Sequence, residues 1–151
     1  MTLIIDASVL VAAAQHDEPG SGASRAFLSA ALIGRTPLVL PWLAWVETVS
    51  AIARKSATAG LAVEAGQRLR DLPVHWVELD ERMAQEAAAT TVACRLRAAD
   101  AVYVALAVRL EATLVTLDRE IETRCEKLCR CRTPEAWLAE LGRRSGIQPS
   151  R

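Results

Sequence analysis

Lysine is nearly missing from this chain: Lys55 and Lys127 are the only two, and the other basic residues are arginines, balanced by an equal number of acids to a formal net charge of zero. That balance excludes the global positive field by which many proteins gather nucleic acid, so any polyanion has to be held locally. The preference for arginine suits bidentate phosphate contacts but is read as genomic composition. Long apolar runs are also absent, because Arg, Glu or Asp breaks each before the roughly 20 residues that a membrane-spanning helix needs. The start, Met1 to Leu10, lacks the basic, apolar and small-residue blocks of a signal peptide, so a soluble cytoplasmic protein is expected. Histidine is scarce, and neither His16 nor His75 stands beside an acidic motif, which argues against a histidine base. Cys94, Cys125, Cys129 and Cys131 lack the second CxxC pair or nearby histidine that would complete a zinc set, and are read as reduced, structural thiols.

Aromatics are few, whereas alanine is abundant and about half of the 151 residues are apolar. This favours helices packed closely on a sheet over an all-β sandwich. The length fits one domain, expected over residues 1–142 with a tail at 143–151. Strand-like runs are expected at Leu3–Ile5, Thr36–Leu40, Val74–Leu79 and Thr113–Leu117, with an edge strand at Lys127–Cys131. Between them the 3.6-residue spacing predicts helices at Ala7–Gln15 with Ser8 as its cap, at Ser24–Ile33 after a Gly20–Gly22 break, and at Trp42–Lys55 and Leu61–Leu72. Further helices are expected at Glu81–Ala93, Ala98–Leu110, Arg119–Arg124 and from Pro134 to Leu141. Strands alternating with helices imply an α/β fold, a three-layer α/β/α sandwich around a mostly parallel sheet of four to five strands. In such sheets the functional crevice lies beyond the carboxyl ends of the strands.

Asp6 and Asp118 each follow directly on an apolar strand, so two parallel strands would bring them to one sheet edge. Asp100 falls in the first turn of a helix, flanked by Ala98, Ala99 and Ala101, which let that helix approach closely. Glu47 sits among Leu43, Ala44, Val46, Ala51 and Ile52, where an unpaired carboxylate is costly and needs a partner. Converging carboxylates repel unless a cation neutralises them, and an all-oxygen, highly charged donor set suits Mg²⁺ or Mn²⁺. Phosphoryl transfer is then the accessible chemistry. Ser8 and Thr116, each two residues from an aspartate, could orient those carboxylates by hydroxyl hydrogen bonds.

Singly, each acid has an ordinary explanation: a cap for Asp6 or Asp118, a first-turn dipole partner for Asp100, and an ion pair with Arg54 for Glu47. A phosphorylated receiver domain would need a lysine after a late strand, and an aspartyl phosphatase a second aspartate where Ser8 stands. A non-catalytic module whose acidic groove docks a basic peptide stays open.

At Ile4-Ile5-Asp6-Ala7-Ser8-Val9-Leu10, at Pro41 through Glu47 to Ala51, at Leu96-Arg97-Ala98-Ala99-Asp100-Ala101 through Ala107, and at Leu114-Val115-Thr116-Leu117-Asp118, the chain resembles the PIN-domain ribonucleases. It is similar in particular to the VapC-type toxins of toxin-antitoxin pairs, and Thr133-Pro134-Glu135 looks like the family's closing helix. The resemblance implies a divalent-metal site of Asp6, Glu47, Asp100 and Asp118, assisted by Ser8 and Thr116. It further implies endonucleolytic cleavage of RNA, a homodimer, and a cognate antitoxin whose tail fills the acidic groove. Arg54, Lys55, Arg95, Arg97 and Arg119 lie near the motif segments as candidate phosphate contacts, and a solvated helix face explains each of them equally well.

Overall fold

Apolar runs too short to be helices set the centre of the molecule. A computed structural model describes residues 1–56 and 58–144, and in it five strands form one sheet: β1 (Leu3–Ile5), β2 (Leu38–Pro41), β3 (His75–Val77), β4 (Thr113–Val115) and β5 (Arg130–Arg132). The spatial order is β3-β2-β1-β4-β5 and every neighbouring pair is parallel. Parallel neighbours require crossovers, and helices supply them: α1 (Ala7–Ala14), α2 (Ser21–Ile33), α3 (Trp42–Lys55), α4 (Ala59–Arg70), α5 (Glu81–Cys94), α6 (Ala98–Arg109), α7 (Arg119–Cys125) and α8 (Pro134–Arg144). This is the expected α/β/α architecture.

The three inner strands are buried throughout, and their Val-, Ile- and Leu-rich sequences, with Pro41 ending β2 and Thr113 starting β4, suit a sheet covered on both faces. Helix α6 is buried over seven successive residues from Ala101 to Ala107, so its alanines let it lie against β1, β2 and β4. On the other flank α1 packs against α2 and α3, and α2 against α8, where Phe27 meets Trp137 edge to face at 5.0 Å. Residues 1–144, with residue 57 aside, contain no helix long and apolar enough to cross a membrane.

Several boundaries differ from expectation for local reasons. Gly20, at φ 79°, makes the left-handed entry to α2, so the break ends there and Gly22 lies inside the helix. Gly60 lies inside α4 in the same way. Ser8 is not the cap of α1: Asp6 holds that position, and the Ser8 hydroxyl turns to Asp6 and β4 instead. The last strand begins at Arg130 and not at Lys127, because the amides of Leu128 and Cys129 both donate to the Cys125 carbonyl and close a turn. Helix α8 continues through Arg144, and the tail expected beyond it lies outside the described residues.

Gly66 is where α4 meets α3. A Cβ there would stand 2.7 Å from Val49 Cγ2 and 3.2 Å from Trp45 Nε1, and that indole nitrogen donates to the Gly66 carbonyl at 2.9 Å. Gly60, one and a half turns earlier, has open space where its Cβ would be. Gly60→Ala should therefore stabilise the protein by about 0.5–1 kcal/mol through helix propensity. Gly66→Ala should destabilise it by about 1–3 kcal/mol through overpacking. Urea unfolding of the two variants beside wild type measures both, and a stabilised Gly66→Ala would refute the tight contact.

Candidate acidic active site

The strand order reverses between β1 and β4, and there the carboxyl ends open a crevice. The amide of Asp6 donates to the Val115 carbonyl at 3.0 Å, which fixes Asp6 beside the end of β4. Its carboxylate is almost fully buried, at 5% exposure. Oδ2 accepts from Ser8 Oγ at 2.5 Å and from Thr116 Oγ1 at 2.7 Å. Each hydroxyl is itself oriented, since Ser8 Oγ accepts from the Leu117 amide at 3.1 Å and Thr116 Oγ1 from the Asp118 amide at 2.9 Å. Ser8 thus bonds the aspartate two residues before it, whereas Thr116 bonds Asp6 and not the Asp118 carboxylate that the spacing pointed to.

Glu47 reaches the same region from the middle of α3, and its partner is a residue the sequence reading missed. Tyr103, fully buried on α6, donates its hydroxyl to Glu47 Oε2 at 2.6 Å. Its position three residues after Asp100, and so on the same helical face, was the available signal. No ion pair joins Glu47 to Arg54, which instead donates to Ser50 Oγ at 3.2 Å. Asp100 lies in the first turn of α6, 3.9 Å from the Arg97 guanidinium. Asp118 caps α7, its Oδ1 accepting from the Glu120 amide at 2.7 Å. Glu120 is a further acid at the mouth, paired with Arg124 at 2.8 Å.

Electrostatics tie these groups together. Burial pushes the Asp6 carboxyl above its ordinary range, the Ser8 and Thr116 hydrogen bonds oppose that, and the Asp118 charge adds to it. Glu47 is raised by burial, opposed by the Tyr103 hydrogen bond, and raised again by Asp6 and Asp100. Asp100 is likewise raised by burial, then by Asp6 and Asp118, with Arg97 opposing and Glu120 adding. The four acids named from sequence thus act on one another through space although they come from four separate elements. Among the described residues, no group of three or more His, Cys, Asp or Glu side chains is arranged to hold a metal ion.

A cavity of about 510 Å³ is lined by Ser8, Glu47, Arg54 and Lys55, and of the four acids only Glu47 reaches it. Lys55 is ion-paired with Glu18. Arg95 occupies the left-handed end of α5, where its carbonyl accepts from Arg124, and Arg97 opens α6. Arg119 begins α7 and is exposed.

A carboxyl whose native pKa is raised binds its proton more readily folded than unfolded, so its contribution to stability declines as pH rises above the unfolded value of 3.8. In metal-free protein, Asp6→Asn should therefore raise the melting temperature at pH 7, and the gain should shrink as pH falls toward 4. Thermal unfolding in a chelating buffer across that range checks it; a wild type as stable as the variant at neutral pH would contradict the shift.

The PIN domain model matches residues 3–127, a span that contains all four acids, Ser8 and Thr116. No curated protein matches the chain. Among solved structures, VapC20 of Mycobacterium tuberculosis, described as a sarcin-ricin loop cleaving toxin, superposes with a TM-score of 0.67 at 15% identity, covering 80% of this chain and 93% of that one. PAE2754 of Pyrobaculum aerophilum gives 0.68 at 21% identity, over 95% and 96% of the two chains. VapBC2 of Rickettsia felis, bound to a DNA fragment from its promoter, gives 0.67 at 10% identity over 88% and 98%. These likenesses establish the fold, the family match covers most of the sequence, and the chain accordingly belongs to the PIN domain family.

Proposed function

We propose that this protein is a divalent-metal-dependent endoribonuclease, the toxin of a VapC-type toxin-antitoxin pair, hydrolysing RNA phosphodiester bonds. The observation that carries the reading is that burial, and then the charge of neighbouring acids, raises Asp6, Glu47 and Asp100 in a PIN domain, with Asp118 acting on Asp6, Asp6 and Asp100 on Glu47, and Asp6 and Asp118 on Asp100. Acids that disfavour one another's charge are stabilised by a cation, and an oxygen-only donor set fits a hard one, Mg²⁺ or Mn²⁺. Asp6, Glu47, Asp100 and Asp118 would hold it; Asp118 uses only Oδ1 as a helix cap, which leaves its second oxygen uncommitted. Such an ion, when bound, supplies acidity to water and positive charge at the scissile phosphate.

The chain's own groups do the positioning. Ser8 and Thr116 fix the rotamer of Asp6, and Tyr103 fixes Glu47. Phosphate approach to an acidic pocket needs cations at the rim, and Arg54, beside the cavity, is the nearest exposed arginine to Glu47 along α3. A second, larger cleft of about 810 Å³ lies between α1 and the α3–α4 pair, lined by Leu10, Ile52, Leu61 and Leu69. Gln15 Oε1 and Thr48 Oγ1, also lining it, are buried without a hydrogen-bond partner among the described residues. An apolar cleft with two unsatisfied acceptors fits a cognate antitoxin segment, as the VapBC assemblies of the structural relatives suggest. A homodimer and a cytoplasmic site of action complete the reading.

Incubation of a broad RNA pool with Mg²⁺ or Mn²⁺ should give cleavage by wild type and background levels from Asp6→Asn and Asp100→Asn. Thr116→Val and Tyr103→Phe, which remove one orienting hydroxyl each, should lose about 10–100-fold while staying folded. Equal cleavage by all variants, or none by metal-loaded wild type, would favour a non-catalytic module that docks a basic peptide. Induced expression in bacteria should arrest growth, and Asp6→Asn should relieve it; harmless wild-type protein at good yield would remove the toxin assignment.

A further inference from the structure

At the far edge of the sheet, β5 brings together thiols that the acidic pocket does not use. Cys131 lies in β5 and Cys129 in the turn that leads into it, on either side of Arg130. Their sulfurs lie 3.8 Å apart. A cavity of about 690 Å³ reaches both cysteines, with Lys127 and Glu126 at its exposed wall. Cys129 is half-buried, whereas Cys131 is buried.

The two thiols are not equivalent. The hydrogen bond from Cys131 holds the Cys129 thiol below its ordinary range, and the same bond, with burial, pushes Cys131 up. Thiolate character and access make Cys129 the group an oxidant meets first, with Cys131 poised to resolve it. Cys94 and Cys125 are buried neighbours outside that cavity.

What happens at β5 is felt at the acidic pocket. Cys131 is in register with Leu114 of β4, and the next residue's carbonyl, that of Arg132, accepts from the Thr116 amide at 3.0 Å. Thr116 is the residue whose hydroxyl holds Asp6. The backbone from Cys131 to Arg132 is therefore two hydrogen bonds from the buried carboxylate.

We propose that Cys129 and Cys131 form a reversible dithiol–disulfide site for small hydroperoxides, and that closing it displaces the Arg132 carbonyl from Thr116. The Cys129 thiolate attacks the peroxide oxygen, the O–O bond breaks, and protonation of the departing oxygen gives water (an alcohol from an organic peroxide) and Cys129 sulfenic acid. The Cys131 thiol then attacks that sulfur and water leaves. The two sulfurs lose two electrons and the peroxide gains them. Only the expected effect on RNA cleavage rests on the ribonuclease reading.

The full-length protein is treated with hydrogen peroxide, then alkylated under denaturing conditions and analysed by mass spectrometry. The expected product has lost two hydrogens, Cys129 and Cys131 escape alkylation while Cys94 and Cys125 do not, and dithiothreitol reverses the change. Cys131→Ser should instead stop at a Cys129 sulfenic acid trapped by dimedone. Full alkylation of Cys129, or its direct passage to sulfinic acid in wild type, would overturn the site. Amide exchange at Thr116 should be about tenfold faster in the oxidised form; a disulfide with unchanged exchange would overturn the coupling. RNA cleavage should fall about tenfold on oxidation and recover on reduction. If reduced wild type cleaves nothing, the nuclease reading fails, while mass and exchange still decide this one.

Discussion

Oδ2 of Asp6 accepts hydrogen bonds from Ser8 and Thr116, and each of those hydroxyls accepts in turn from the backbone entering Asp118. The arrangement solves a burial problem. A carboxylate at 5% exposure loses most of its hydration, and hydrogen bonds are the only compensation the chain itself provides. The same bonds join the first strand to the fourth beyond the last rung of their ladder, so the geometry of the crevice and the solvation of Asp6 have one cause. Glu47 repeats the solution with a single donor, Tyr103, borrowed from the helix that carries Asp100.

The pocket is built against the interest of the fold. Burial first and the charge of neighbouring acids second raise Asp6, Glu47 and Asp100, so their charged forms weaken the protein at neutral pH. The surrounding core offsets this by close packing: three buried strands, an alanine-rich α6 lying directly on them, and Phe27 against Trp137 at the other flank. Local rules are broken where chemistry is expected and kept elsewhere.

Much of this was legible in the residues. The apolar triplet before Asp6 marks β1, whereas β4 carries a buried Thr113 and ends at Val115, three residues before Asp118. The role of Ser8 follows from a two-residue spacing that returns its side chain to Asp6, whereas Thr116 reaches the same carboxylate from 110 positions away, a contact that spacing does not encode. Less legible were features made by distant encounters. Tyr103 meets Glu47 across 56 positions, which no periodicity encodes. Gly22 reads as a break and Gly60 as lying just before a helix, yet both lie in helices held by tertiary packing, which outweighs their weak propensity. The start of β5 was displaced by a turn onto the Cys125 carbonyl, and the proximity of Cys129 to Cys131 acquires meaning only with the cavity beside them.

The order β3-β2-β1-β4-β5 also has a temporal side. The position beside β1 is filled by residues 113–115, which are synthesised after three strands and six helices. Until that segment arrives, Asp6 has neither Thr116 nor Asp118 beside it, and the flank of β1 is bare. A nascent chain thus carries no assembled pocket until residues 113–118 have been made, and whatever chemistry the acids perform waits on that segment.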